Sequence, residues 1–194
     1  MKKIAIIGTG GLGREVLAMI KSINEYDKKW EIVGFYDDAV IAGTKVAGYQ
    51  VVGSVALLNE KKESLNVVIG VGNPVIRKLI RNKISNRNIN FPVIIHPSSV
   101  IYDKKSVQLE EGVVIAANCV LTTDIKVGRC TYINSASVVS HDSVIGAFCM
   151  LMPTTSLSTG VVLGNEVYLG NGTKIDEPIH IEEGMRIKAG SILP

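Results

Sequence analysis

The sequence predicts two successive folds in one chain: an α/β part with a small parallel sheet over residues 1–97, and a triangular coil of short strands over residues 98–194. Three observations predict this arrangement. Apolar strands alternate with amphipathic helical segments in the first part, a glycine-rich loop follows the first strand, and every sixth residue is aliphatic in the second part. Alternating strands and helices of this length are typical of a parallel sheet that is covered on its faces.

In the first part, hydrophobic periodicity predicts strands at residues 3–7, 30–36, 66–71 and 91–95. A helix is expected directly after the glycine-rich loop, and its predicted apolar face is formed by Val16, Leu17, Ile20 and Ile23. Residues 55–62 predict a short helix. A further helix is predicted at 75–85, with Pro74 in its first turn, where proline is tolerated.

The second part has a period of six residues. From Leu109 to Leu193, fifteen consecutive sixth positions carry Leu, Ile or Val. The residue two positions before each of these is small or aliphatic, from Val113 to Ser191. A helix cannot use a period of six, and a half-buried strand uses two. The pattern therefore predicts a triangular coil with three hexads, or 18 residues, in each turn.

Composition excludes several classes of protein. Apolar residues make up 46% of the chain and charged residues 20%, which excludes disorder. A net charge of +3 is too small to argue for nucleic-acid binding, and no apolar run approaches the roughly 18 residues of a membrane span. The three cysteines, Cys119, Cys130 and Cys149, lack CxxC spacing, so a reducing cytoplasm is the expected location.

The glycine-rich loop at residues 8–13, GTGGLG, matches the G-x-G-x-x-G pattern. Glycines at this place let backbone amides approach a pyrophosphate, whose charge is favoured by the helix N-terminus. Asp37 and Asp38, at the end of the next strand, suit a ribose or base donor. About 97 residues suffice for one mononucleotide half only, so we expect a half-Rossmann-like domain that binds a nucleoside diphosphate rather than NAD. A glycine turn that serves only backbone packing is the alternative.

In an 18-residue coil, His141 is predicted to lie above Thr123 and below Thr159. We count the repeated aliphatic residue as the first place of each hexad and the small residue as the fifth. All three residues then occupy the third place, which points outward because the first and fifth places fill the interior. Asp142 follows His141, and Asp124 lies one coil below Asp142. A histidine beside a carboxylate is the ordinary arrangement of a general base. A surface His–Asp pair without function is the alternative.

The hexad pattern resembles the hexapeptide left-handed parallel β-helix, and the handedness is taken from that resemblance. With its glycine-rich half, the chain resembles bacterial sugar acetyltransferases of the sialic-acid O-acetyltransferase type. Within these it is most similar to the nucleotide-amino-sugar N-acetyltransferases of surface-glycan synthesis. The resemblance covers essentially the whole chain, and its motifs lie at residues 8–15, 35–38, 72–73, 77–78, 96–97 and 134–142.

The resemblance implies a homotrimer in which acetyl-CoA, the acetyl donor, lies in a groove between two subunits. His141 would deprotonate the acceptor for direct transfer, and Asp142 would raise the basicity of His141. The nucleotide sugar would be held by Gly10, Gly11, Leu12, Asp37, Asp38 and Gly72. The places expected to contact CoA are Met150, Asn171 and Ala189, and no metal is implied.

Three departures from the family matter, at Leu12, at Met150 and at Pro194, where the short tail that commonly follows the last coil is not found; Asp142 is a smaller change. Leu12 stands where the family usually carries His, and Asp142 where Glu is frequent. Met150 replaces a second His that hydrogen-bonds the thioester carbonyl, and a thioether cannot donate such a bond.

N-acetylation of a nucleotide-linked amino sugar is the predicted function. O-acetylation of a sugar hydroxyl is an alternative, because the same base serves either acceptor. A non-catalytic trimeric nucleotide-sugar binder is a second alternative, favoured by Met150 and by the end of the chain at Pro194. A zinc carbonic anhydrase is discounted, because such enzymes need three convergent histidines and one of the three here precedes the repeats.

Overall fold

The computed structural model describes all 194 residues, which form two compact units. One unit comprises Met1–Gly72 and Ile76–Pro92, and the other comprises Asn73–Val75 and Val93–Pro194. The unit boundary therefore falls after residue 92, whereas the sequence placed it after residue 97. The reason is that Ile94 and Ile95 pair with the coil strand at Val114 and Ile115 rather than with the α/β sheet.

The first unit contains six strands in the order β3-β4-β2-β1-β5-β6. All neighbours in this sheet are parallel except the antiparallel pair β3–β4. The elements are β1 (Lys2–Ile7), α1 (Gly11–Tyr26), β2 (Trp30–Tyr36), β3 (Lys45–Val46), β4 (Tyr49–Gly53), a 3₁₀ helix (Val55–Glu60), β5 (Leu65–Ile69), α2 (Pro74–Lys83) and β6 (Ile89–Asn90). Because β1, β2 and β5 are parallel neighbours, their carboxyl ends lie side by side.

The predicted apolar face of α1 is confirmed, since all four of its residues are buried. Two predictions for this unit were wrong in detail. The hairpin of β3 and β4, with its turn at Ala47 and Gly48, was missed, because β3 has only two residues and shows no hydrophobic periodicity. The strand expected at 91–95 is not part of this sheet: Ile89–Asn90, just before that range, pairs with β5, and Ile94–Ile95 begins the coil.

The second unit is a parallel β-helix of two-residue strands that form three sheets. Sheet I contains β7 (Ile94–Ile95), β10 (Val114–Ile115), β13 (Tyr132–Ile133), β16 (Met150–Leu151), β19 (Tyr168–Leu169) and β22 (Arg186–Ile187). Sheet II contains β8 (Val100–Ile101), β11 (Val120–Leu121), β14 (Val138–Val139), β17 (Ser156–Leu157), β20 (Lys174–Ile175) and β23 (Ile192–Leu193). Sheet III contains β9 (Gln108–Leu109), β12 (Lys126–Val127), β15 (Val144–Ile145), β18 (Val162–Leu163) and β21 (His180–Ile181).

The predicted 18-residue turn is confirmed by the strand register. Val114 pairs with Tyr132, and Val138 pairs with Ser156. The first turn is longer by two residues, since Val100 pairs with Val120. The aliphatic positions are buried in the middle turns, and the small positions between Val113 and Thr173 are buried as well. Polar side chains among them donate to coil carbonyls, as Thr131 does to the carbonyl oxygen of Gly146 at 2.7 Å.

The corners of the β-helix repeat a left-handed backbone conformation that the hexad pattern had not indicated. From Gly112 to Gly190, φ is positive at every sixth residue except Pro178, and most of these fourth places carry non-glycine residues such as Asp124, Cys130 and Asp142. His141 lies at the corner between sheets II and III, just before one of these residues. Each corner therefore presents its third-place side chain from the same backbone turn in successive coils.

Candidate functional site

A pocket of about 470 Å³ lies within the first unit, at the carboxyl ends of β1 and β2. Its walls include Gly8, Asp37 and Asp38 from the strand ends, with Ile76 and Leu79 from α2. In open parallel sheets, ligands bind outside the carboxyl ends of the strands. The glycine-rich loop and the two aspartates thus meet at the expected edge of the sheet.

The glycines of the loop have two different roles. A Cβ added to Gly13 would collide with the carbonyl oxygen of Gly8, so this glycine is required by packing. Gly8 itself has φ of +98°, in the left-handed region that favours glycine. Gly10 and Gly11 have no atom within 4 Å of an added Cβ. Packing alone therefore explains Gly8 and Gly13, whereas Gly10 and Gly11 keep the start of α1 open.

Asp37 anchors the glycine-rich loop to the end of β2. Its Oδ2 accepts the N–H of Thr9 at 2.8 Å and the Thr9 hydroxyl at 2.7 Å, while Oδ1 accepts the N–H of Ala39. Partial burial acts to raise the pKa of the Asp37 carboxyl, but the hydrogen bonds from Ala39 and Thr9 outweigh it and lower the pKa below its ordinary value. Asp37 thus shapes the pocket with oxygens that already have donors.

Asp38 binds the backbone with one carboxylate oxygen and pairs with Lys83 through the other. Its Oδ1 accepts the N–H of Val55 at 2.8 Å, and its Oδ2 lies 3.5 Å from the ammonium group of Lys83. Both side chains are at least half exposed. Lys83 and the neighbouring Asn82 line the same pocket. The pair therefore offers an acceptor and a cation beside the apolar wall that α2 provides.

α2 and Thr9 contribute to this pocket, although neither contribution was predicted from the sequence. Ile76 and Leu79 are 43% and 53% exposed on α2, an unusual exposure for large apolar side chains next to a pocket. Their spacing of three residues, followed by Lys83, was a readable signal of a helix face that flanks the strand ends. The Thr9–Asp37 bond joins residues 28 positions apart, and no local pattern predicts it. Of the other predicted nucleotide contacts, Leu12 lies in the first turn of α1, and Gly72 follows β5 before α2.

His141 is held by two hydrogen bonds at its corner of the β-helix. Its Nδ1 lies 2.7 Å from Oδ2 of Asp142, and its Nε2 lies 3.1 Å from Oγ1 of Thr159. The imidazole is about half exposed. The predicted stacking of His141 below Thr159 is confirmed by this contact, and the N–H of Gly160 also donates to the His141 carbonyl. The ring is therefore fixed by its own hexad and by the next coil.

The contact with Asp142 determines which ring nitrogen can act as a base. An ionised carboxylate only accepts, so Nδ1 must carry the proton that points at Asp142. Nε2 is then the unprotonated nitrogen, and its electron pair accepts a hydrogen bond from the Thr159 hydroxyl. His180 offers a comparison, since its Nδ1 lies 3.6 Å from Glu182 and has no second contact of this kind. His141 is thus the histidine whose geometry suits proton abstraction.

The residues expected to contact CoA do not lie at the corner of His141. Asn171 and Ala189 are exposed between sheets I and II, and Gly190 donates to the Asn171 carbonyl at 2.8 Å, which confirms that the two coils stack there. Met150 lies in sheet I and is only 1% exposed, and its expected contact with CoA stays a prediction.

The remaining candidates are structural. Cys119, Cys130 and Cys149 are buried free thiols. Burial raises the pKa of the Cys149 thiol to about 12 and also raises that of Cys119.

No three His, Cys, Asp or Glu side chains are grouped as a metal site would require. Neither α1 nor α2 has the length and apolarity to span a membrane.

Comparison with known proteins gives one match to the first part of the chain and further matches to nearly the whole chain. Residues 3–84 match the PglD N-terminal domain family. Over 179 residues the chain is 26% identical to GDP-perosamine N-acetyltransferase of Escherichia coli O157:H7, an alignment that covers 92% of this chain and 80% of that protein.

Two solved structures resemble the chain over its whole length. The acetyltransferase domain of PglB from Neisseria gonorrhoeae FA1090 gives a TM-score of 0.87 at 28% identity and is covered over 92% of its length. PerB from Caulobacter crescentus, solved in complex with CoA and GDP-perosamine, gives a TM-score of 0.87 at 27% identity and is covered over 89%. These similarities confirm the predicted fold class of a half-Rossmann-like α/β domain followed by a left-handed parallel β-helix. The chain therefore matches the PglD N-terminal domain family over residues 3–84 and is similar over nearly its whole length to bacterial sugar acetyltransferases, as its motifs predicted.

Proposed function

We propose that this protein transfers an acetyl group from acetyl-CoA to the amine of a nucleotide-linked amino sugar. The observation that carries the proposal is the His141–Asp142 pair at 2.7 Å, on an outward corner of a β-helix whose relatives include GDP-perosamine N-acetyltransferase. The relatives support this class of reaction, and the pair would supply the base that this class requires.

In the proposed mechanism, Nε2 of His141 takes a proton from the acceptor amine as its nitrogen attacks the thioester carbonyl. Asp142 holds the Nδ1–H tautomer and stabilises the imidazolium that forms. The acetyl group passes directly to nitrogen, and the same imidazolium then returns its proton to the departing CoA thiolate. Because Met150 is buried and its thioether cannot donate, backbone amides of the coil are the donors left for the thioester oxygen.

The pocket of the first unit is the proposed site for the nucleotide. Gly10, Gly11 and Leu12 present backbone N–H groups at the start of α1, where a pyrophosphate is favoured. Asp38 and Lys83 would meet the polar edge of the base or ribose, and the apolar face of α2 would cover its plane. Asp37 and Gly72 would act indirectly, by shaping the loops around this pocket.

We also propose a trimer in which each reaction site is shared between subunits. In one chain, His141 lies between sheets II and III, whereas Asn171 and Ala189 lie between sheets I and II. If acetyl-CoA contacts Asn171 and Ala189, the histidine it meets must come from a second copy. The buried free thiols suit a reducing compartment, so we propose that the reaction takes place in the cytoplasm. We also propose that the reaction belongs to surface-glycan synthesis.

The substrate class can be tested with purified protein and acetyl-CoA. UDP-, dTDP- and GDP-linked amino sugars would be supplied one at a time, and the products would be analysed by mass spectrometry before and after mild alkaline treatment. We expect one nucleotide amino sugar to gain an alkali-stable acetyl group. An alkali-labile product would favour O-acetylation instead, and nucleotide binding without any product would favour a non-catalytic binder.

The shared site can be tested by mixing two inactive variants. His141→Ala removes the base, and Ala189→Trp blocks the expected CoA corner. If the sites are shared, refolded mixtures regain part of the activity, because some interfaces combine an intact histidine with an intact corner. Mixtures that stay inactive would contradict the shared site.

A further inference from the structure

Thr159 is the residue that contacts the reactive nitrogen of His141. Its Oγ1 lies 3.1 Å from Nε2, and it occupies the same third place of the hexad, one coil further along. The adjacent Gly160 N–H donates to the His141 carbonyl at 3.0 Å. The backbone and the ring of His141 are thus tied to the same two residues of the next coil.

Building on the proposed function, we propose that Thr159 is the positioning residue that aims the Nε2 electron pair of His141 and defines the side from which the acceptor amine approaches. An imidazole that is about half exposed would otherwise rotate about its side-chain bonds. The bond to Asp142 fixes one nitrogen only. The second bond, from Thr159, fixes the ring orientation and keeps Nε2 directed along the corner.

A hydroxyl suits this position because it both donates and accepts. While His141 is neutral, Thr159 donates its hydrogen to the Nε2 electron pair. Because Nε2 has a single electron pair, the Thr159 hydrogen must turn away before the acceptor proton can be taken. Rotation about the Thr159 Cβ–Oγ bond frees the pair, the acceptor N–H bond then breaks as the Nε2–H bond forms, and an oxygen lone pair of Thr159 faces the new N–H. No covalent bond of Thr159 breaks in this step. The electron pair of the acceptor nitrogen forms the new bond to the thioester carbon.

Thr123 provides a matched control. It stands one coil below His141 at the same place of the hexad, yet its Oγ1 bonds to Asp124 Oδ2 at 2.8 Å and to Ser106 Oγ at 2.9 Å. Thr123→Val and Thr159→Val therefore remove the same hydroxyl from the same stack. Only the second change removes a contact with His141.

The kinetic test compares Thr159→Val, Thr159→Ser and Thr123→Val. We expect Thr159→Val to lower kcat about five- to tenfold, as expected for one lost hydrogen bond, while the KM for acetyl-CoA stays unchanged. Thr159→Ser keeps the hydroxyl and restores kcat, and Thr123→Val resembles the wild type. The proposal is overturned if Thr159→Val leaves kcat unchanged or raises it, or if Thr159→Ser is as slow as Thr159→Val.

A spectroscopic test needs no substrate. The ¹⁵N chemical shift of an unprotonated ring nitrogen reports whether that nitrogen accepts a hydrogen bond, and the His141 signal is assigned from its absence in His141→Ala. At about pH 9, where an ordinary imidazole is neutral, Thr159→Val should move the Nε2 shift toward that of an unbonded nitrogen. An unmoved shift would refute the contact. If the wild type transfers no acetyl group, the proposed function fails, while this shift still decides the role of Thr159.

Discussion

The β-helix and the α/β unit encode their candidate sites in different ways. In the β-helix, the period of six fixes which side chains face inward, so an outward histidine beside a carboxylate is visible as a candidate in the sequence. In the α/β unit, the pocket depends on contacts between distant strand ends, such as Thr9 with Asp37 and Val55 with Asp38. A regular repeat therefore makes a candidate functional residue recognisable in the sequence, whereas in an irregular fold the residues that support a site cannot be identified from the sequence.

The largest expected effect concerns the two His–carboxylate pairs of the β-helix. His141→Ala should lower kcat at least about a hundredfold, because the general base is lost. His180→Ala should leave kcat unchanged, although His180 also lies near a carboxylate and is similarly exposed. Steady-state rates of both variants test this, with circular dichroism to confirm folding. Equal rates for the two variants would remove the distinction between the two pairs.

The second effect separates the two kinds of glycine in the α/β unit. Gly13→Ala should lower the free energy of unfolding by about 1–3 kcal/mol, because its Cβ has no room beside the carbonyl oxygen of Gly8. Gly11→Ala should keep the stability of the wild type and weaken nucleotide binding, because its Cβ enters the open space at the start of α1. Urea unfolding and nucleotide titration measure the two outcomes. A Gly11→Ala variant with unchanged nucleotide affinity would favour a purely structural loop.

The third effect depends on pH and tests the anchor of the loop. Asp37→Asn should destabilise the protein by about 1–2 kcal/mol at pH 7, because Thr9 loses a charged acceptor. The folded pKa of Asp37 is lowered, so its stabilisation is fully present above the ordinary carboxyl pKa of 3.8 and is lost as the pH falls through the folded value. The difference in unfolding free energy between wild type and variant should therefore shrink in acid. Asp176→Asn, at an exposed carboxylate, is the control, and a difference that grows in acid would contradict the assignment.

The smallest effect concerns the cysteines inside the coil. Burial raises the pKa of the Cys149 thiol to about 12, and its Sγ donates to the Gly164 carbonyl at 3.1 Å. We expect no rapid reaction of Cys119, Cys130 or Cys149 with a disulfide reagent in the native protein, and reaction of all three in denaturant. Rapid native labelling would show that the coil opens more readily than its burial indicates.

The sequence was sufficient for the repeat, the turn length and the stacking of His141 on Thr159, because all three follow from a single period. It was insufficient for Met150, since no hexad rule states which outward strand residues become buried. The sequence also does not predict that the carboxylate oxygens of Asp37 accept hydrogen bonds from Thr9 and Ala39, because these contacts depend on how two strand ends approach each other. The apolar face of α2 was readable from its spacing, but only the pocket gave it a role.

The most direct test of the account is the rate of CoA thiol release from acetyl-CoA with a nucleotide-linked amino sugar and with the same amino sugar lacking the nucleotide. The α/β unit is proposed to recognise the nucleotide, and His141 to activate the amine. We therefore predict release with one nucleotide-linked amino sugar, none with the free sugar, and loss of release in His141→Ala. Equal thiol release with the free sugar, or thiol release that persists in His141→Ala, would contradict these proposed roles of the α/β unit and of His141.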